Sequence, residues 1–254
     1  MSAFEVVGIL LAGVAAGTIN TIVGSGTLIT FPTLLAFGVP PVTANVSNTI
    51  GLVPGSVAGA WGYRRELAGQ RARVLRLAGA SLIGGVIGAV LLLVLPERAF
   101  EAIVPALILL GVVLVIAGPR LSAWVARRAE ERGIGDRHFA WWVWPAVLAA
   151  GVYGGYFGAA QGVLLMAVLG IGVAESLQRL NGVKNVLAAI VNAVAGVLFV
   201  IVADVDWLVV LLIGSGAVVG GLLGAGVGRR LPPLALRVTI VVVGVAALTV
   251  MLVD

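Results

Sequence analysis

Two glycine-rich segments interrupt the apolar sequence, and both could place backbone amides where they bind an anion. The first is Gly24-Ser25-Gly26, and the second is Gly-Ala-Ala-Gln-Gly at residues 158–162. Because glycine inside a helix costs about 1 kcal/mol relative to alanine, each segment predicts the end of one helix and the start of another. A helix N-terminus carries roughly half a positive charge and unpaired N–H groups, so it attracts anions. Glycines that only let two helices cross closely are the alternative interpretation.

Polar residues follow each of these breaks within otherwise apolar sequence. The most informative is Lys184, the only lysine among the 16 Lys and Arg residues. An ammonium at the centre of a membrane span costs roughly 2.5–3.5 kcal/mol and normally faces a partner or a water-filled cavity. We predict that Lys184 faces a site built from the helix N-termini, which implies an anionic substrate. The predicted substrate-binding residues are Asn20, Gly24, Ser25, Gly26, Thr27, Asn45, Asn48, Gln161, Gly162, Lys184 and Asn185.

Some of these polar residues have a simpler interpretation. The Asn, Ser and Thr side chains could join helices by hydrogen bonds, at about 0.6 kcal/mol each. Glu175 and Arg179 precede Lys184 and allow two interpretations. They are either a capping acid and an arginine that reaches the membrane interface, or a gate pair at the mouth of a cavity.

The reactive side chains do not support catalysis. The chain has one histidine, His138, and no cysteine, so it offers neither a thiol nucleophile nor a Cys-ligated metal. Lys184 follows Val183, whereas a phosphate-binding loop requires Gly before its Lys. Ser25 lacks the glycine two residues earlier that a serine-hydrolase elbow needs. We therefore predict a protein that is not an enzyme and that uses no cofactor and no metal ion.

The elements that position these residues are predicted to be membrane-spanning helices. Apolar residues make up 61% of the chain and charged residues 11%, against about 45–50% and about 25% in a typical soluble domain. Uncharged runs such as 78–96 and 141–171 meet or approach the roughly 20 residues that a helix needs to cross a bilayer. The net charge of +5 comes from arginines clustered between such runs, which is typical of cytoplasmic loops. We therefore do not expect nucleic acid as a partner.

The apolar sequence divides into ten segments, five on each side of a polar linker. Similar residues at matching places, such as Val46-x-Asn48 and Val183-x-Asn185, indicate a duplication. We predict an all-α integral membrane protein of two inverted repeats of about five helical segments each, eight to ten in total, with a broken or re-entrant helix in each half. The predicted domains are 1–119 (first repeat), 120–139 (basic linker) and 140–254 (second repeat). The segments are 4–22, 27–38, 42–62, 74–95, 100–118, 140–158, 162–171, 176–203, 207–228 and 233–253.

The charge of equivalent connections predicts that the two halves are inverted. Residues 63–76 carry five arginines, whereas the matching connection at 203–207 carries two aspartates and no base. Arginine-rich loops favour the cytoplasmic side. We therefore expect a multi-pass protein of the cell (inner) membrane, with loops 63–76 and 120–139 in the cytoplasm and both termini outside.

The sequence around the first break resembles a known family. Residues 17–45, GTINTIVGSGTLITFPTLLAFGVPPVTAN, followed by Ser47-Asn48-Thr49, resemble the first repeat signature of the sulfite exporter TauE/SafE family. The resemblance covers essentially the whole chain, although Ala160-Gln161-Gly162 replaces the Gly-rich turn and proline that family members often have in the second repeat. It implies secondary transport of small sulfur-containing anions, such as sulfite, sulfonate, sulfoacetate or thiosulfate, across the cytoplasmic membrane.

We therefore expect a secondary transporter that moves such an anion by alternating access. An anion channel and a membrane scaffold without transport activity remain the alternatives. The expected partners are the small anion, a coupling proton or sodium ion, and the lipid bilayer. A homodimer is left open.

Overall fold

The computed structural model describes residues 1–132, 140–227, 238, 240–246, 248 and 249. Nine helices are continuous within these ranges, and their bounds follow the apolar runs. They are α1 (Ala3–Ile22), α2 (Thr27–Ala36), α3 (Pro41–Gly62), α4 (Arg71–Val94), α5 (Glu97–Arg132), α6 (Val143–Tyr156), α7 (Gln161–Gly172), α8 (Leu177–Val202) and α9 (Trp207–Val227).

The predicted all-α membrane fold is confirmed. Among the described residues, five helices are long and apolar enough to cross a membrane, whereas α2 and α7 are shorter apolar helices. The five are Ala3–Ile22, Arg71–Val94, Glu97–Arg120, Leu177–Val202 and Trp207–Gly226. The inverted relation of the two halves stays a prediction.

Helix α5 is longer than the sequence pattern predicts. The fifth segment is expected to end at residue 118, but the helix continues through Pro119 to Arg132. A proline removes one hydrogen bond and bends the helix without having to end it. The residues beyond Pro119 are rich in Ala, Arg and Glu, which favour a helix.

Parts of the prediction lie outside the described residues. They include His138, the end of the linker at 133–139 and about half of the tenth segment. In the tenth segment, residues 238, 240–246, 248 and 249 are helical.

The two short helices turn back along the helices that precede them. In the first half, the ring of Phe37 lies 5.9 Å from that of Phe4, so the end of α2 returns to the start of α1. In the second half, Ala140 N donates to Gly172 O at 3.1 Å, so the end of α7 returns to the start of α6. We call these pairs the first hairpin (α1–α2) and the second hairpin (α6–α7). A broken helix is therefore present in each half, as the glycines predict.

Each hairpin packs on a helix from the other half of the chain. Helix α1 lies along α9, and a Cβ built on Gly220 would lie 2.0 Å from Val14 O. Helix α6 lies along α4, where a Cβ on Gly88 would lie 2.1 Å from Val152 O. These close approaches require glycine, since any side chain would force the helices apart. The two pairings are equivalent when α1 is exchanged for α6 and α9 for α4.

Candidate functional site

The tips of the two hairpins meet, and glycine makes the contact possible. Gly162 N donates to Gly24 O at 3.0 Å. A Cβ built on Gly24 would lie 2.3 Å from Gly162 Cα, and a Cβ on Gly162 would lie 2.4 Å from Gly24 Cα. Gly24 also has φ +90°, a left-handed conformation that favours glycine. We call this meeting point of the Gly24 and Gly162 segments the crossing.

Two helices begin at the crossing, and neither N-terminus is capped by a side chain. Gly26 is the N-cap of α2 and Ala160, at φ 60°, is the N-cap of α7. Ser25 Oγ and Gln161 Nε2 lie beside these N-termini, are buried and have no hydrogen-bond partner among the residues that the structure describes. A buried donor without a partner costs about 1–3 kcal/mol. The crossing therefore holds hydrogen-bonding capacity that the protein itself does not satisfy.

Helix α3 supplies the next polar residues of the site. Asn48 Nδ2 donates to Thr27 Oγ1 at 3.3 Å, and Thr30 Oγ1 donates to Asn48 Oδ1, so this amide connects α3 to the first turns of α2. Asn45 Nδ2 donates to Tyr156 O at 2.9 Å, which satisfies a carbonyl at the end of α6. Both asparagines are buried. These bonds fix both hairpin tips against α3.

Helix α8 supplies donors to the end of α1. Lys184 Nζ donates to Asn20 O at 3.1 Å and to Thr21 O at 3.2 Å, and the side chain has no exposed surface. The amides of Asn181 and Asn185 also donate to Thr21 O, at 3.2 and 3.3 Å. The last carbonyls of a helix lack intrahelical partners, and a membrane protein must satisfy them internally. Lys184 and its neighbours on α8 therefore cap α1.

This placement differs from the one we expected for Lys184. Its ammonium contacts the carbonyl end of α1, whereas the sequence suggested the amino end of a short helix. The physical reason is that a broken helix presents both ends at one place. A cation is stabilised by the C-terminal, negative end of a helix dipole. The substrate-binding assignments themselves stay predictions.

The predicted residues nevertheless gather in one region. Gly24, Ser25, Gly26 and Thr27 form the first tip and the start of α2, while Gln161 and Gly162 start α7. Asn45, Asn48, Lys184 and Asn185 reach the helix ends from α3 and α8. All of the predicted residues are buried except Asn20, which is half-buried.

Two further polar residues belong to this region and were not predicted. Asn20 Nδ2 and Asn192 Nδ2 donate to Ser56 Oγ at 3.4 and 3.3 Å, so this hydroxyl joins α1, α3 and α8. Ser56 and Asn192 are both buried. An isolated Asn or Ser within an apolar helix was the signal that could have identified them.

An ionic cluster lies where loop 63–70 meets the start of α8. Glu175 forms salt bridges with Arg73 and Arg179, both at 3.1 Å, and accepts from Gln70 Nε2 at 2.6 Å. Arg179 Nη2 also donates to Ala68 O at 2.6 Å. Burial opposes ionisation of Glu175, but the hydrogen bonds from Gln70 and Arg73 and the charge of Arg179 outweigh it. They hold the pKa of the carboxyl below its usual value.

The helices that form the crossing carry no carboxylate near it. Helices α2, α3, α6, α7 and α8 contain no Asp or Glu, and Glu5 of α1 lies at the far end of that helix. Within the described ranges, no three His, Cys, Asp or Glu side chains are grouped so that they could hold a metal ion. The charge at the crossing therefore comes from helix termini and Lys184.

Comparisons with known proteins agree with this architecture. A family model described as "Sulfite exporter TauE/SafE" matches residues 9–251. The probable membrane transporter protein YfcA of Escherichia coli K12 is 28% identical over 221 residues, covering 85% of this chain and 76% of that protein. A probable membrane transporter protein, ORF9, of Sinorhizobium is 30% identical over 235 residues, covering 87% and 81%. A probable membrane transporter protein of Haemophilus influenzae is 24% identical over 213 residues, covering 84% of this chain and 81% of that protein.

Proposed function

Because the chain belongs to the sulfite exporter TauE/SafE family, a family of membrane transporters, we propose that it carries a small sulfur oxyanion across the cytoplasmic membrane. Sulfite and small sulfonates are the candidate ions. The transported ion binds at the crossing, and the two sides of the membrane gain access to it in turn.

The charge balance at the crossing is the observation that carries this proposal. Two helix N-termini and two helix C-termini meet there, and their partial charges of about +0.5 and −0.5 each cancel. Lys184 adds a basic side chain, and the helices that form the crossing contribute no carboxylate beside it. The protonated amine therefore gives the region a net positive charge in a medium of low dielectric constant, which favours an anion.

The available donors fit an oxyanion. Ser25 Oγ and Gln161 Nε2 are side-chain donors that lack partners among the described residues. They lie beside the positive ends of α2 and α7, and the first N–H groups of α7 are already bonded to Gly158 O, Gly24 O and Ala160 O. Sulfite presents three acceptor oxygens, and hydrogen bonds to a charged acceptor are roughly twice as strong as neutral ones. A halide has no such directional acceptors. The arrangement therefore favours sulfite over chloride at equal concentration.

Alternating access is supported by contacts between the two halves of the chain near the two opposite ends of α8. On the loop 63–70 side, Glu175, Arg73 and Arg179 connect the two halves of the chain. At the connection between α8 and α9, a hydrogen bond from Asp206 N to Ser47 Oγ at 2.9 Å holds α3. Inverted repeats that rock about a central site would make and break such contacts in turn. The equivalent pairings of α1 with α9 and of α6 with α4 support this arrangement.

Ligand-dependent stability of the purified protein tests the binding site. A ligand that binds only the folded state raises the melting temperature. We expect sulfite to raise it saturably, and chloride at the same ionic strength to have little effect. In Ser25→Ala the apparent affinity should fall about 10–100-fold, since a hydrogen bond to a charged group contributes about 1.5–3 kcal/mol. Ser215→Ala is the matched control, because this exposed hydroxyl only donates to carbonyls of its own helix.

Two results would contradict the proposal. One is equal stabilisation by sulfite and chloride, and the other is equal sulfite affinity in Ser25→Ala and Ser215→Ala. In proteoliposomes, a transporter should show saturable counterflow of labelled sulfite. Sulfite current without an exchange requirement would instead identify an anion channel.

A further inference from the structure

The hydrogen-bond acceptors of the buried Lys184 ammonium are unusual. Both of its acceptors are main-chain carbonyls at the C-terminal end of α1, at 3.1 and 3.2 Å. The helices around the crossing contain no carboxylate that could pair with it. A fully buried charge without a counterion is costly, so the carbonyls must supply its stabilisation.

Carbonyls at a helix C-terminus inside a membrane protein are also typical ligands of a metal cation. In transporters with discontinuous helices, unwound carbonyls and half-helix C-termini coordinate the coupling sodium ion. The end of α1 has this geometry, since its last carbonyls face α8 beside the Gly24 break. An ammonium and a sodium ion carry the same charge, and both are stabilised by converging oxygen atoms.

We propose that the Lys184 ammonium occupies the place of a coupling sodium ion at the end of α1, so that the first hairpin is held without sodium. This inference rests on the proposed function only where it concerns coupling, and the cation site itself can be tested without an anion. It predicts a transport cycle that does not require sodium.

The neighbouring residues support a latent cation site. Asn181 lies one helical turn before Lys184, and its Oδ1 is buried with no hydrogen-bond partner in the described part of the chain. Its amide nitrogen and that of Asn185 are engaged with Thr21 O, which keeps both side chains beside the same carbonyl. Removal of the lysine side chain would leave Asn20 O and Thr21 O as oxygen ligands, with the unpartnered Asn181 Oδ1 one helical turn earlier on the same face of α8. Neutral oxygens suit a monovalent cation better than a divalent one, which usually takes carboxylates.

The experiment compares cation dependence of stability in three proteins without added sulfite. Wild type, Lys184→Ala and Lys184→Met are melted in detergent with choline chloride, sodium chloride or methylammonium chloride at equal ionic strength. Methionine fills the volume of the lysine chain but carries no charge, so it is the matched control. Choline is too large to enter the vacated space.

We expect the wild type to melt at the same temperature in sodium and in choline. Lys184→Ala should melt lower than wild type in choline, and sodium or methylammonium should raise its melting temperature saturably. Lys184→Met should show no such rise. Saturable stabilisation of the wild type by sodium would overturn the proposal, because a sodium site would then exist beside the ammonium. No response of Lys184→Ala to either small cation, relative to Lys184→Met, would overturn it as well.

Two further measurements test the inference even if Lys184→Ala does not fold. They also separate it from the anion proposal. The wild-type comparison of sodium with choline needs no variant. Sulfite counterflow in wild-type proteoliposomes should run at the same rate in sodium and in choline media. If sulfite does not stabilise the wild type but small cations stabilise Lys184→Ala, only the anion proposal is wrong. If sulfite stabilises the wild type but small cations do not stabilise Lys184→Ala, only the cation proposal is wrong.

Discussion

Gly162→Ala tests whether contact between the hairpin tips is required for stability and binding. The added Cβ would lie 2.4 Å from Gly24 Cα, whereas ordinary van der Waals contacts begin at 3.4 Å. The tips must therefore separate by about 1 Å. This movement would stretch the Gly162 N to Gly24 O hydrogen bond from 3.0 Å to beyond the 3.2 Å upper limit usual for such bonds.

The expected loss follows from these two contacts. Overpacking of a close contact costs about 1–3 kcal/mol, and loss of the hydrogen bond adds about 0.5–1.5 kcal/mol. The higher helix propensity of alanine returns up to about 1 kcal/mol. We expect a net loss of about 1–3 kcal/mol in the free energy of unfolding. Sulfite affinity should also fall, because the donors of α2 and α7 would no longer converge.

Unfolding titration in detergent and sulfite-dependent melting measure the two effects. Gly79→Ala in α4 is the matched control, since a Cβ built there meets nothing within 4 Å. It should be neutral or slightly stabilising and should bind sulfite normally. If Gly162→Ala matches Gly79→Ala in both assays, the contact at the crossing has no role in holding the site, and the reasoning is refuted.

Two other predictions concern the loop 63–70 side. Ala68 and Asp204 are both exposed, and a single cysteine at each position should react with an impermeant thiol reagent from opposite sides of the membrane. In intact cells, Asp204→Cys should react and Ala68→Cys should not. Reaction of both cysteines from one side would contradict the inverted arrangement. Glu175→Gln should lower stability at neutral pH by about 1–3 kcal/mol through loss of charged hydrogen bonds. Because the folded pKa of Glu175 is lowered, its stabilisation is present above the unfolded value of 4.5 and is lost as the pH falls through the folded pKa. Between pH 7 and pH 3, the melting temperature should therefore change less in Glu175→Gln than in wild type. Glu101→Gln, at an exposed position, should follow wild type. The same change in melting temperature in all three proteins would contradict the stabilising role of the ionic cluster.

The helices were largely predictable from sequence because each is a run of apolar residues bounded by charge or glycine. The breaks at Gly24 and Gly158 were predictable for the same reason, since glycine is a local signal. The end of α5 was predicted too early, because the charged residues that follow Pro119 end the apolar run but continue the helix. Local patterns therefore gave nearly all element bounds.

The contacts of charged side chains were less accessible to sequence reasoning. The residue types around Lys184 predicted a buried cation but could not show whether the amino or the carbonyl end of a broken helix approaches α8. For Glu175 and Arg179 a gate pair was one of two interpretations, and the structure adds Arg73, which is far away in the chain. Such contacts depend on how the two halves pack, which no local spacing encodes.

Helices α1 and α6 each pack on a helix of the other half of the chain, and this arrangement constrains folding during synthesis. Helix α1 emerges from the ribosome well before α9, the helix along which it lies, which begins at Trp207. At about 5–20 residues per second, the roughly 185 residues between Ile22 and Trp207 require about 10–40 s of synthesis. During this time the glycine face of α1 must be covered by lipid or by the insertion machinery. Each half is thus unfinished until the other is inserted, and premature release of the first half would expose a surface built for close contact.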